Sequence, residues 1–96
     1  GYKILWTDNA LEELERTLGY LERNFTRKEL ERLSQKIENT VSLISQNPRL
    51  FSKSDKKDIY RVLILKFNTM YYRVKDDNIE ILSFFSNRQN PKKRKI

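Results

Sequence analysis

Residues 58–91 read DIYRVLILKFNTMYYRVKDDNIEILSFFSNRQNP, and this stretch decides the fold. Short runs rich in Ile, Val, Leu, Tyr and Phe are separated by Asn68-Thr69 and by the Asp-Asp-Asn sequence at residues 76–78. Strand-forming residues interrupted by turn-forming residues predict three antiparallel strands joined by two tight turns.

The position of each turn fixes which side chains share a face of this meander. Two-residue turns at Asn68-Thr69 and Asp77-Asn78 predict one face that is apolar and one that mixes aromatic and cationic residues. The predicted core face carries Leu63, Leu65, Phe67, Met70, Tyr72, Val74, Ile79, Ile81 and Phe85. The predicted outer face carries Tyr60, Val62, Ile64, Lys66, Tyr71, Arg73, Lys75, Glu80, Leu82, Phe84, Ser86 and Arg88. Under this assignment, Leu63→Asp should abolish folding, because it buries an unpaired charge.

The residues before the meander predict one further strand and a helical hairpin. Residues 2–7 read as a strand of the same sheet, and Asp8 is the predicted cap of a helix that reaches about Arg23. Thr26 and Glu29 have the spacing of a capping box for a second helix, which must end before Pro48. Each helix has one apolar stripe, which the apolar face of the sheet would cover. The predicted class is therefore α+β, with both helices on one face of a sheet.

The remaining segments predict one domain and a tail. In residues 47–58, Leu50 and Phe51 are expected to anchor a crossing loop whose later part is polar. Ninety-six residues suffice for one modest core, so residues 2–90 are the predicted domain. Residues 91–96, PKKRKI, form a basic tail.

Composition excludes several classes of site. The chain has no cysteine and no histidine, so disulfides, cysteine zinc sites and histidine-based acid/base catalysis are excluded. We expect neither a metal nor a cofactor. No apolar run approaches the roughly 20 residues that span a bilayer, and a cytoplasmic location is the prediction.

Charge divides the chain into two halves. Residues 8–46 contain eight acidic and six basic residues, whereas residues 47–96 contain thirteen basic and five acidic ones. The sheet-forming half is therefore strongly electropositive. Such asymmetry favours an anionic partner for that half, either nucleic acid or an acidic protein segment.

The order of elements and several short motifs resemble the RelE/ParE superfamily of toxins from bacterial type II toxin-antitoxin modules. The motifs are NPRLF at residues 47–51, IYRV at 59–62, MYYRV at 70–74, IEIL at 79–82 and NRQNP at 87–91. The resemblance implies one of two activities. RelE-like members cut messenger RNA on the ribosome, and ParE-like members inhibit DNA gyrase. It also implies neutralisation by a cognate antitoxin.

The resemblance also suggests site residues. Arg88 matches a RelE-like catalytic position, and the predicted register puts Arg73 and Tyr71 on the same face as Arg88, as further candidate catalytic residues. Thr69 stands where a RelE-like arginine would open the third strand, and no tyrosine follows Leu82, so the RelE-like catalytic set is incomplete. Binding of nucleic acid or antitoxin is predicted for Lys56, Lys57, Lys66, Tyr60, Phe84, Lys92 and Lys93. Arg61 is expected at the edge of the core face, paired with an acidic group or a helix end.

Two further interpretations compete with an active toxin. A small basic domain of this kind could serve as a nucleic-acid-binding or adaptor module without toxicity. A degenerate toxin that has lost its activity would have the same fold and charge.

Overall fold

The computed structural model describes residues 1–55 and 58–87. The elements in chain order are β1 (Lys3–Trp6), α1 (Asp8–Asn24), α2 (Arg27–Gln46), β2 (Ser52–Lys53), β3 (Tyr60–Ile64), β4 (Asn68–Lys75) and β5 (Asn78–Ser86). The strands form one sheet in the order β1-β5-β4-β3-β2. β1 runs parallel to β5, and the other neighbours are antiparallel. The predicted α+β class is confirmed, and the short strand β2 lies in a segment predicted to be loop.

A threonine side chain caps the N-terminus of each helix. The side chain of Thr7, not that of the predicted cap Asp8, accepts a hydrogen bond from the Ala10 N–H. Thr26 accepts from the Glu29 N–H, as the capping box predicts. α2 ends at Gln46, before Pro48. Among the described residues, neither α1 nor α2 has the length and hydrophobicity of a membrane-spanning helix.

The core lies between the helix pair and one face of the sheet. The helices contribute one apolar stripe each and the strands contribute alternate residues, as expected for half-buried elements. Its buried members are Ala10, Leu21, Leu33, Ile37, Ile44, Tyr60, Val62, Ile64, Met70, Tyr72, Ile79, Ile81 and Phe84.

The β3–β4 turn lies earlier in the chain than predicted. Ile64 pairs with Asn68 and Leu63 with Thr69, so the connection consists of residues 65–67 and Asn68 already belongs to β4. Leu65 at its start has φ 57°, a left-handed conformation that is uncommon for leucine. The shift inverts the predicted face of β3, because successive side chains of a strand alternate. Leu63 is consequently 61% exposed, whereas Val62 and Ile64 are buried.

The β4–β5 turn is also displaced by one residue. Lys75 pairs with Asn78, which puts the turn at Asp76 and Asp77 and sets Val74 opposite Ile79. Farther along, the register slips between Tyr71 and Tyr72, where β5 carries an extra residue. This bulge places Phe84 opposite Met70 in the core, in place of the predicted Phe85.

Side chains of α1 bind the edge of β5 beyond the end of β1. The Asn9 amide donates to the Leu82 carbonyl at 3.0 Å. One carboxylate oxygen of Glu13 accepts from the Phe84 N–H at 2.9 Å and from the Ser83 hydroxyl at 2.8 Å. The helix thereby satisfies backbone groups for which β1 is too short.

Candidate functional surface

The face of the sheet opposite the helices carries exposed cations of β3 and β4. Arg61 and Leu63 lie there on β3, and Arg73 and Lys75 lie on β4. The predicted core position of Arg61 is wrong, because the same register shift that exposes Leu63 exposes Arg61, opposite Tyr71. Sequence reasoning missed Arg61 and Leu63 as surface residues, because residues 65–67 include no typical turn-forming residue.

Arg73 forms a side-chain ion pair across the two strands. Its Nε donates to Glu80 Oε1 at 2.6 Å, and the two residues stand directly opposite each other in the ladder. The pair is partly exposed, so it contributes modestly to stability. Its main effect is to fix the direction of the guanidinium on this face.

Three aromatic residues predicted to be exposed are buried. Tyr60 is 7% exposed, Tyr71 is 3% exposed and Phe84 is 1% exposed. Tyr60 and Phe84 belong to the core between the sheet and the helices, so stacking on a partner would require the core to open. The predicted aromatic strip on the surface is therefore wrong, and the binding roles proposed for Tyr60 and Phe84 lose their structural basis.

The Tyr60 ring instead stacks within the protein on Tyr72. Their centroids are 5.2 Å apart and the rings lie 12° from parallel. The Tyr72 hydroxyl donates to the Pro48 carbonyl at 2.7 Å. Burial, together with the neighbouring Tyr60, raises the pKa of Tyr72 to about 12. Tyr72 thus connects the segment just after α2 to the sheet through this hydrogen bond.

A cleft of about 490 Å³ opens between the helix hairpin and the β3–β4 turn. Lys66, a predicted binding residue, lies on its rim, and its Nζ is 5.6 Å from the centroid of the Phe67 ring. The cleft has an apolar floor with polar and charged residues around it. Its lining comprises Leu21, Glu29, Arg32, Leu33, Leu65, Lys66, Phe67, Asn68 and Ser86. Sequence periodicity could not have brought Arg32 and Lys66 together, because it does not specify where the helix corner meets the turn.

Several predicted site residues lie outside the described residues. They are Arg88, Lys56, Lys57, Lys92 and Lys93. Of the three predicted catalytic residues, the described ranges contain Arg73, which is paired with Glu80, and Tyr71, which is buried. Within those ranges, no group of acidic side chains is arranged to hold a metal ion.

Comparison with solved structures places the fold among known toxins. A chain of the chromosomal ParDE system from P. aeruginosa aligns with TM-score 0.74 and 17% identity, over 88% of this chain and 95% of that one. The YoeB dimer from Staphylococcus aureus gives 0.60 and 21%, over 85% and 92%. The E. coli DinJ-YafQ complex gives 0.61 and 8%, over 94% and 98%. No curated protein sequence matches the chain.

The helix hairpin on a five-stranded mixed sheet therefore defines a RelE/ParE-like toxin fold. A family model described as "ParE toxin of type II toxin-antitoxin system, parDE" matches residues 4–91. The chain belongs to the ParE toxin family of type II toxin-antitoxin systems.

Proposed function

We propose that this toxin acts by binding and inhibiting DNA gyrase, not by cutting messenger RNA. The observation that carries the proposal is the Arg73–Glu80 ion pair, in which the Nε of Arg73 is already bound at 2.6 Å. Stabilising a phosphate in its transition state requires a cation whose donors point at the substrate. A guanidinium directed at Glu80 is therefore better suited to a binding surface than to a catalytic site. The match to the ParE family supports the same choice, because the activity that the resemblance implies for ParE-like members is gyrase inhibition.

The other described residues also favour binding. RNA cleavage without histidine needs a tyrosine, glutamate or lysine that reaches the 2′-hydroxyl. Tyr71 is 3% exposed, so little of this residue is open to a substrate. Thr69, which stands where RelE-like members have an arginine, carries no charge and is also buried.

We further propose that a cognate antitoxin neutralises the chain through its electropositive half. The exposed cations Arg61 and Lys66 flank the exposed Leu63 on the chain, which suits an acidic segment that also carries apolar residues. Toxin structures of the same fold come from a ParDE system and from a YoeB-YefM complex. In this proposal the toxin and its antitoxin act in the cytoplasm.

The decisive experiment measures supercoiling and RNA cleavage side by side. Purified toxin is added to gyrase with relaxed plasmid, and messenger RNA ends are mapped after induction in a bacterial host. We expect loss of supercoiling without new RNA ends at ribosome-bound codons. New codon-positioned ends with unchanged supercoiling would overturn the proposal in favour of a RelE-like nuclease. Absence of both effects would favour an adaptor or a degenerate toxin.

Arg88 provides a matched test of mechanism. Arg88→Lys keeps the charge but loses the planar fork of donors that binds a phosphate through two hydrogen bonds. A nuclease should lose about 100-fold or more in rate, in the range for removal of one electrostatic donor. Gyrase inhibition that depends only on charge at this position should be nearly unchanged. Arg88→Ala is the companion variant, which removes both the charge and the fork.

A further inference from the structure

The outer edge of β1 carries backbone groups without a strand partner. The Lys3 N–H donates to the Asp77 carbonyl at 3.2 Å, and the Thr7 N–H donates to the Ile81 carbonyl at 3.1 Å. In a strand, the residues that bond to one neighbour alternate with those that point away from it. Lys3, Leu5 and Thr7 therefore face β5. The N–H and C=O groups of Ile4 and Trp6 point to the open edge of the sheet.

Among the described residues, α2 forms hydrogen bonds at this edge only with Tyr2, the residue just before β1. The Tyr2 N–H donates to the Ser45 carbonyl at 2.9 Å, and the Ser45 hydroxyl donates to the Tyr2 carbonyl at 2.6 Å. Within residues 1–55 and 58–87, no corresponding partner is present for Ile4 or Trp6 on this side. Unpaired edge strands readily pair with another chain.

The spacing of these groups makes the edge complementary to itself. If a second copy lies antiparallel with Leu5 opposite its own counterpart, Ile4 faces Trp6 of the second copy and Trp6 faces Ile4 of the second copy. Each of the two pairs can exchange two N–H···O=C hydrogen bonds, because the backbone N–H and C=O groups of all four residues point to the open edge. The two Leu5 residues then form the close pair, with Cα atoms about 4.5 Å apart. Lys3 faces Thr7 of the second copy, so no like charges face each other.

Charge favours this edge over the other one. β1 and β2 lie at opposite edges of the sheet, which keeps the basic β2–β3 region away from such a contact. The part of α2 beside β1 is also neutral, because residues 39–48 contain no charged side chain. On the other side of the sheet, β2 pairs only Tyr60 and Arg61 of β3. Beyond β2, Leu63 lies on the chain between Arg61 and Lys66, and two copies would repel each other there.

We propose that two copies of this chain associate through antiparallel pairing of their β1 strands, which joins their sheets into one. The interface is isologous, because the same edge serves both copies. Leu5 lies at its centre and is 37% exposed in the single chain. The geometry requires no rearrangement of the core, since Ile4 and Trp6 keep their side chains on the helix side.

The test is the oligomeric state of the intact chain and of two variants. Leu5→Lys places two ammonium groups against each other at the centre of the interface, and we expect the dimer dissociation constant to rise about 100-fold or more. Leu63→Lys is the matched control, because it introduces the same charge at another exposed leucine, on β3 and away from β1. Sedimentation velocity over a concentration series gives the constants. Trp6 is the single tryptophan of the chain, so its fluorescence reports the β1 edge directly.

The expected result is a dimer in wild type and Leu63→Lys, a monomer in Leu5→Lys, and a concentration-dependent Trp6 emission only in the first two. A wild-type chain that stays monomeric at every concentration would overturn the inference. A dimer that survives in Leu5→Lys but is lost in Leu63→Lys would also overturn it, and would assign the contact to β3. Far-ultraviolet circular dichroism checks that both variants remain folded.

Discussion

Tyr72 connects three parts of the structure through one side chain. Its ring stacks on Tyr60, and its hydroxyl donates to the carbonyl of Pro48, just after α2. A buried carbonyl that loses its donor costs about 1–3 kcal/mol. We expect Tyr72→Phe to lower the free energy of unfolding by that amount at neutral pH, measured by urea denaturation. Tyr20→Phe is the control, because Tyr20 lies on α1 and outside the Tyr60–Tyr72 stack.

The pKa of Tyr72 predicts a second effect of the same substitution. The pKa is about 12 in the folded chain and about 10 when the residue is unfolded and solvated. Because the folded value is higher, the stabilisation is fully present below pH 10 and is lost as the pH rises towards 12. Wild type should therefore lose more stability than Tyr72→Phe between pH 9 and 11, roughly. Equal losses would show that Tyr72 titrates normally.

Among the secondary-structure elements, β3 gives the sharpest test of the sheet faces. Val62 is buried in the core, and Leu63 beside it is 61% exposed. Val62→Asp buries an unpaired charge, which costs several kcal/mol against a total stability of roughly 5 to 15 kcal/mol, so the variant should not fold. Leu63→Asp should melt cooperatively, with a change within about 0.5 kcal/mol of wild type. If Leu63→Asp were insoluble and Val62→Asp folded, Leu63 and not Val62 would face the core, as the sequence-based register predicts.

The same strand shows how far sequence could predict this fold. Element order, the α+β class, the Thr26 cap and the end of α2 followed from capping chemistry and from 3.6-residue periodicity. The β3–β4 register did not. Residues 62–67 read as a continuous apolar run with one lysine, and Asn68 gave the nearest conventional turn signal. The chain turns instead at Leu65, in a left-handed conformation that leucine seldom adopts.

The wrong β3–β4 register also explains why residues of the candidate surface were assigned to the wrong face of the sheet. A register shift moves every side chain of a strand to the other face, so Tyr60 was placed outside and Arg61 inside. The β5 bulge did the same for Phe84, because it adds a residue that no pattern of alternation reveals. The predicted positions of Arg73 and Glu80 on the outer face were right, since no irregularity separates them from the β4–β5 turn.

The attachment of α1 to β5 depends on Glu13. Its carboxylate accepts from the backbone of Phe84, the hydroxyl of Ser83 and the amide of Asn9. Glu13→Ala leaves these donors without their acceptor, and we expect a loss of about 2–3 kcal/mol in the free energy of unfolding. Glu12→Ala, on the exposed side of the same helix turn, is the matched control and should change stability by less than about 0.5 kcal/mol. Similar losses in both variants would point to a general effect of charge on α1.

At the scale of the whole molecule, the division of charge predicts how partners associate. The half from residue 47 onward has thirteen basic and five acidic residues. Association with an acidic antitoxin should be steered by this field, so that its rate constant falls about 10-fold or more from low to physiological salt. Stopped-flow measurement with the cognate antitoxin checks this. An association rate that does not change with salt would place the contact on the mixed-charge helix faces.

The parallel pairing of β1 with β5 has a consequence for synthesis of the toxin. β1 precedes every other described element along the chain, yet its strand neighbour in the described sheet is β5, the last of those elements. The contacts of Thr7 and Glu13 with β5 span more than 60 residues of chain, so they form late and close a long loop. During translation the nascent chain must therefore wait for β5 before its N-terminal half can complete the sheet. A ribosome that stops before residue 78 should release a fragment without the toxin fold, which protease sensitivity of stalled chains would reveal.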